Sequence, residues 1–111
     1  MSIPAGKSSV LVHPGRLLRR EMEARGLSAT ALAGALHVSP ERIRGIINGK
    51  RPITYDTALR LGRYLGTGPE LWAGMQRDYN LLAAQLAHGA QIEREVQPAP
   101  RDWDLLEPLA E

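Results

Sequence analysis

Apolar positions recur at helical spacing in five successive runs, each opened by Pro or a small hydroxyl residue and most closed by Gly. Pro14 suits a helix start, Leu17, Leu18, Met22 and Leu27 form a stripe, and Gly26 is a natural terminator. Ser28 can cap a second helix whose Ala31, Leu32, Ala35 and Leu36 share a face; its many small residues let a neighbour approach closely. A turn at His37-Val38 leads to Ser39-Pro40, a capping residue followed by Pro at the first helical position. Ile43, Ile46 and Ile47 then point inward, and Asn48-Gly49 ends this helix with residues that accept a left-handed backbone. Thr54 caps a fourth helix carrying Ala58, Leu59, Leu61 and Leu65 and closed by Gly66. Thr67 and Glu70 have capping-box spacing ahead of a fifth, with Pro69 near its start. There Trp72, Met75, Tyr79, Leu82 and Leu86 alternate three and four apart, the seam of a helix that packs on another. Residues 91–96 fit either a helix or a short extended piece.

The expected fold is all-α: a five-helix helix-turn-helix domain over residues 13–97, after a loose arm at 1–12 and before an acidic tail at 98–111. The tail carries one apolar cluster, Trp103, Leu105, Leu106 and Leu109. Two short helices joined by a tight turn place the second in a DNA major groove. With its isoleucines inward, that helix turns Pro40, Glu41, Arg42, Arg44 and Gly45 outward. Arg bonds guanine O6 and N7, and Glu accepts from cytosine N4, so Glu41, Arg42 and Arg44 are able to read bases. Gly45 is expected to clear space for the groove floor. Ser28, Ser39, Asn48, Lys50 and Arg51 are the candidate phosphate contacts, which set register rather than sequence. The seam residues Trp72, Met75, Tyr79, Leu82 and Leu86 are the candidate homodimer face, because a two-fold operator requires a two-fold protein.

Charge sharpens this picture. Residues 1–66 hold eleven Lys/Arg against four Asp/Glu, and residues 67–111 hold three against eight. One half therefore suits an anion and the other a basic partner. There is no Cys, and His13, His37 and His88 lack metal-ligand spacing, so neither disulfide nor metal is expected, nor any other cofactor. No P-loop, nucleophile elbow or dinucleotide fingerprint is present, and an enzyme is not expected. No apolar run approaches the ~20 residues of a membrane span and no signal-peptide stretch is evident, so a cytoplasmic location without membrane contact is expected.

The segments His13–Glu21, Leu27-Ser28, Ala31–Ala33, Asn48–Arg51, Ile53-Thr54, Asp56–Leu61, Tyr64, Gly66-Thr67, Pro69–Trp72, Gln76 and Tyr79–Leu81 together resemble the HigA-type antitoxins. These belong to the lambda-repressor-like (Xre) helix-turn-helix class. The opening His13-Pro14-Gly15 and the Pro69-Glu70-Leu71-Trp72 block narrow the resemblance beyond the general motif. It implies a homodimer that represses its own operon on double-stranded operator DNA. It also implies that the protein neutralises a HigB-like toxin, a small RelE-like ribonuclease that cleaves mRNA. Ala29 stands where the larger class often has Gln, which removes one usual phosphate contact. The alternatives are a stand-alone repressor without a toxin and an adaptor that no longer touches DNA.

Overall fold

The computed structural model describes residues 11–100, and all of its secondary structure is helical. Most of the expected arm and tail, including Trp103, Leu105, Leu106 and Leu109, lies outside the described residues. The five helices are α1 (Gly15–Arg25), α2 (Ala29–Leu36), α3 (Pro40–Ile47), α4 (Tyr55–Leu65) and α5 (Pro69–Glu95). The segment whose pattern left helix and strand open, 91–96, continues α5 as far as Glu95.

Side-chain caps start three of these helices. The Ser28, Ser39 and Thr54 hydroxyl oxygens accept from the amides of Ala31, Arg42 and Thr57 at 3.0, 3.1 and 3.2 Å. Each satisfies one of the four amides that a helix start leaves unpaired. Gly26 ends α1 in the left-handed region, letting the Leu27 amide reach back to the Met22 carbonyl at 2.8 Å. His37 adopts the same conformation (φ 61°) in the helix-turn-helix corner, with the Val38 amide on the Ala33 carbonyl. At the end of α3, Gly49 is left-handed whereas Asn48 is not (φ −92°).

The expected capping box at Thr67 does not form. Gly68 is the N-cap of α5, and the Thr67 hydroxyl instead accepts from the Trp72 indole at 2.8 Å while donating to the Gly68 carbonyl. A fully buried indole N–H needs an acceptor, and Thr67 is the group within reach.

Helices of eight residues are too short to persist alone, so α2 and α3 depend on what they bury. Leu18, Leu32, Ile43, Ile46, Leu61 and Trp72 are wholly inaccessible to solvent, each large aliphatic among them contributing about 1.5–3 kcal/mol. On α2 the buried set is Leu32, Ala33 and Leu36, while Ala31 and Ala35 face outward. Leu32 and Leu36 pack as expected, and Ala33 takes the place of Ala31 and Ala35 beside them, because an alanine-rich helix offers two nearly equivalent stripes. Leu59 of α4 is likewise exposed rather than packed.

Two glycines set how closely the helices meet. A Cβ on Gly15 would collide with the Ile46 carbonyl, so the start of α1 lies against the end of α3. A Cβ on Gly62 would collide with the backbone of Gly68 and Pro69, which fixes where α5 leaves α4. Buried Gln76 joins α5 to the segment after α3: its Oε1 accepts from the Ile53 amide at 2.7 Å and its Nε2 donates to Asn80. A lone Gln in an amphipathic pattern reads as surface, and only its pairing shows why it is buried.

Candidate nucleic-acid interface

The outward side of α3 follows from helical geometry. Ile43 and Ile46 are buried, which leaves Glu41, Arg44 and Asn48 exposed at i, i+3 and i+7, with half-buried Gly45 in the same row. Arg44 lies between the two helices of the motif. Its guanidinium sits 3.7 Å from the Glu41 carboxylate and 3.5 Å from the Thr30 hydroxyl at the start of α2. Both interactions are long and solvent-exposed, so little holds either side chain back from a ligand.

Arg42 behaves differently. Its Nη1 donates to Asp56 Oδ2 at 2.8 Å and to the Thr57 hydroxyl at 3.3 Å, both on α4. The expectation that it faces outward beside Arg44 is therefore corrected: position 42 lies on the α4 flank, one residue round from the exposed row. The same Asp56 oxygen accepts from Arg60 Nε at 2.9 Å, and Arg60 Nη1 donates to the Leu36 carbonyl at the end of α2. Hydrogen bonds from Arg60 and then Arg42 hold the Asp56 carboxyl below the usual carboxylate range.

Gly45 has a second reason to lack a side chain. A Cβ there would stand 2.7 Å from both Cγ and Cδ of Arg51, whose aliphatic stem lies across the helix. Absence of a side chain makes room for Arg51 itself. The Lys50 and Arg51 amides both donate to the Gly45 carbonyl, at 2.8 and 3.0 Å, folding this basic loop back along α3.

Of the other candidate phosphate contacts, Asn48 accepts from Arg19 Nη2 at 3.2 Å, and Arg19 also reaches the Ile47 carbonyl. Ser28 and Ser39 are occupied as caps, yet each hydroxyl keeps a proton to donate. Arg19, Lys50 and Arg51 are exposed at this end of α3, and Arg16 and Arg20 of α1 are exposed as well.

His13, which carries no metal-ligand spacing, is half-buried and structural. Its Nδ1 accepts from the Gly15 amide at 2.9 Å, and its ring meets Tyr79 edge-on with centroids 4.9 Å apart. Burial lowers its pKa, partly opposed by a hydrogen bond to the Arg51 backbone. It thus ties the entry to α1, the basic loop and α5 together.

Residues 15–73 match a helix-turn-helix domain family. Virulence-associated protein I of Dichelobacter nodosus is 54% identical over 87 residues, covering 77% of this chain and 81% of that protein. A HigA-family addiction module antidote protein from Coxiella burnetii superposes with a TM-score of 0.77 at 41% identity, over 80% of this chain and 98% of that one. The Pseudomonas aeruginosa antitoxin HigA, solved with the higBA promoter, gives 0.78 at 41% identity over the same shares. The chain belongs to the HigA family of helix-turn-helix antitoxins.

HigA antitoxins are a non-enzymatic family, in keeping with a sequence that carries no catalytic motif. Among the described residues no helix is long and apolar enough to cross a membrane. In this HigA-family chain the seam of α5 divides. Trp72 is wholly buried in its own core and has no surface to offer a second copy, which removes it from the candidate dimer face. Met75, Tyr79 and Leu82 are half-buried, with Met75 packed on the core and Tyr79 against His13, whereas Leu86 is exposed. Sequence periodicity marks the face without separating its inward turns from its outward ones. An adjoining groove of about 650 Å³, bordered by exposed Tyr55 and Leu81 and by Gln76, Arg77 and Asn80, has no signature in the sequence. Its residues come from the loop before α4, the first residue of α4 and α5, so no local pattern announces it.

Proposed function

We propose that the protein is a DNA-binding autorepressor and antitoxin, acting as a homodimer on an operator in its own promoter. The observation that carries this reading is the exposed row of α3, with Glu41 and Arg44 toward solvent and Lys50 and Arg51 folded alongside. Such a row presents base-reading groups and phosphate-binding cations on one surface. The P. aeruginosa relative solved with its promoter supports it.

Glu41 and Arg44 read bases, Pro40 and Gly45 complete the helix surface, and Ser28, Ser39, Asn48, Lys50 and Arg51 grip phosphate. The outward part of the α5 seam, Leu82 and Leu86, provides the homodimer face with contributions from Met75 and Tyr79. The partner neutralised by complex formation is a HigB-like, RelE-fold ribonuclease, and the acidic 98–111 segment contributes to holding that basic protein. The setting is the cytoplasm.

Binding of the protein to its own promoter fragment, followed by anisotropy between 50 and 200 mM salt, tests the DNA half. Six to ten phosphate contacts predict a loss of ~10³–10⁵ in affinity across that range. Arg44→Ala is expected to reduce operator specificity by ~1–3 kcal/mol, and Lys50→Ala to weaken operator and random DNA alike. A flat salt response would reject DNA binding. Co-purification from native cells tests the antitoxin half: a small basic protein in stoichiometric amount supports it, and the chain alone, with its neighbouring gene expressed, indicates a stand-alone repressor.

A further inference from the structure

We infer that Arg42, although it belongs to the helix offered to DNA, is a positioning residue that sets the pose of α3 through Asp56 and reads no base itself. This inference rests on the proposed reading of α3 as the DNA-contacting helix.

Three helices are joined through Asp56 and the Arg60 guanidinium beside it. Arg42 brings α3 to Asp56 Oδ2, and Arg60 of α4 holds the same oxygen while donating to the Leu36 carbonyl that ends α2. That carbonyl is one of four a helix end leaves without an internal partner. The chain of contacts therefore runs from the end of α2, through α4, to the flank of α3. Asp56 itself lies in the first turn of α4, where the helix dipole favours a negative charge.

The second contact of Arg42 fixes it further. Thr57 is buried, its amide is capped by Thr54, and its hydroxyl accepts from both Thr54 Oγ1 and Arg42. The acceptors of Arg42 are thus themselves held in place. Arg44, two residues on, has only long contacts on an exposed surface. The two arginines share a helix of eight residues and differ in what restrains them.

Swinging Arg42 toward DNA would give up both bonds and leave Asp56 with a single cation near an approaching phosphate backbone. Exposed ion pairs contribute little to stability singly, so the value of this cluster is geometric. A short helix fastened at one flank presents Glu41 and Arg44 in one register. Released, it can rock, and every base contact loosens together.

The test uses the full chain and its own promoter fragment at fixed salt, with single base-pair substitutions across one half-site. Arg42→Ala and Asp56→Asn are each expected to lower operator affinity about ten-fold, and the double variant no further, because both remove one coupling. Discrimination should fall at all the base pairs read by the helix, with affinity for random DNA and the salt slope unchanged. Loss at a single base pair in Arg42→Ala, with Asp56→Asn neutral or tighter, would make Arg42 a reader and overturn the inference. Unchanged operator binding in both variants would overturn it equally. Thermal melts identify any variant that fails to fold, and Asp56→Asn, which keeps the shape of the side chain, then carries the test. If the unmodified chain binds no operator, the α3 reading falls separately. The tie is then decided by backbone amide shifts in Asp56→Asn: movement along residues 40–47 supports it, and movement confined to 54–60 rejects it.

Discussion

The two halves of α5 are one continuous helix under opposite conditions. Its first half enters the body of the protein: Trp72 is wholly buried, Gln76 pairs with the Ile53 amide, and Tyr79 meets His13. From Ala84 to its end at Glu95 every residue of the helix is exposed except half-buried Gly89. The first half exists because of what it touches. Within a single chain, the second relies on its own composition, rich in Ala, Gln and Glu, and on local pairs such as Gln91 with Glu95. Packing and propensity thus make the same secondary structure by separate routes, and substitutions should tell them apart.

The largest expected difference comes from Trp72→Ala, which empties the centre of the body. Urea unfolding should show a loss of about 3–5 kcal/mol, a large share of a small domain's stability. The loss should be the same at every protein concentration, since the ring is buried within one chain. A loss confined to dilute protein would return Trp72 to a dimer face.

A smaller effect should follow from acid. Burial holds the His13 imidazole below its ordinary value near 6.5, so the folded chain prefers the neutral ring. As pH falls through 6.5 the unfolded chain takes up its proton first, and stability declines until the folded ring is protonated as well. Melting temperatures between pH 7.5 and 5 should show this decline, and His13→Asn should reduce it. An unchanged slope in that variant would mean that the ring does not clamp the body.

The smallest effect belongs to the distal half. Gly89 has open space around its Cβ position, so Gly89→Ala adds helix propensity without a clash. A local gain of about 0.5–1 kcal/mol should slow amide exchange over residues 86–95 and leave global unfolding unmoved. A rise in global stability would show that the distal half is coupled to the body after all.

Much of this architecture is legible in the sequence because its signals are local. Ser28, Ser39 and Thr54 each announce a helix start and each makes the expected cap. Gly26 and Gly66 announce ends by adopting the left-handed backbone. What escapes the sequence is decided between elements. The pattern at Thr67 is that of a cap, but Trp72 claims its hydroxyl across a turn of helix. Arg42 and Arg44 are both basic and both lie off the isoleucine stripe, about 200° apart on the helix, and only the approach of Asp56 from α4 shows which of them is tethered. Gln76 carries no hydrophobic signal at all, since its burial is compensated by a hydrogen bond to a residue 23 positions away.

The Arg51 stem lying across Gly45 also bears on how such a protein changes over generations. A side chain at position 45 cannot be gained while Arg51 keeps its present path, and Arg51 lies over α3 where position 45 is bare. Substitution at either one alone disturbs the surface offered to a ligand, so the two positions should drift as a linked pair. New operators are then reached more readily through Glu41 and Arg44, each of which varies without first displacing a neighbour.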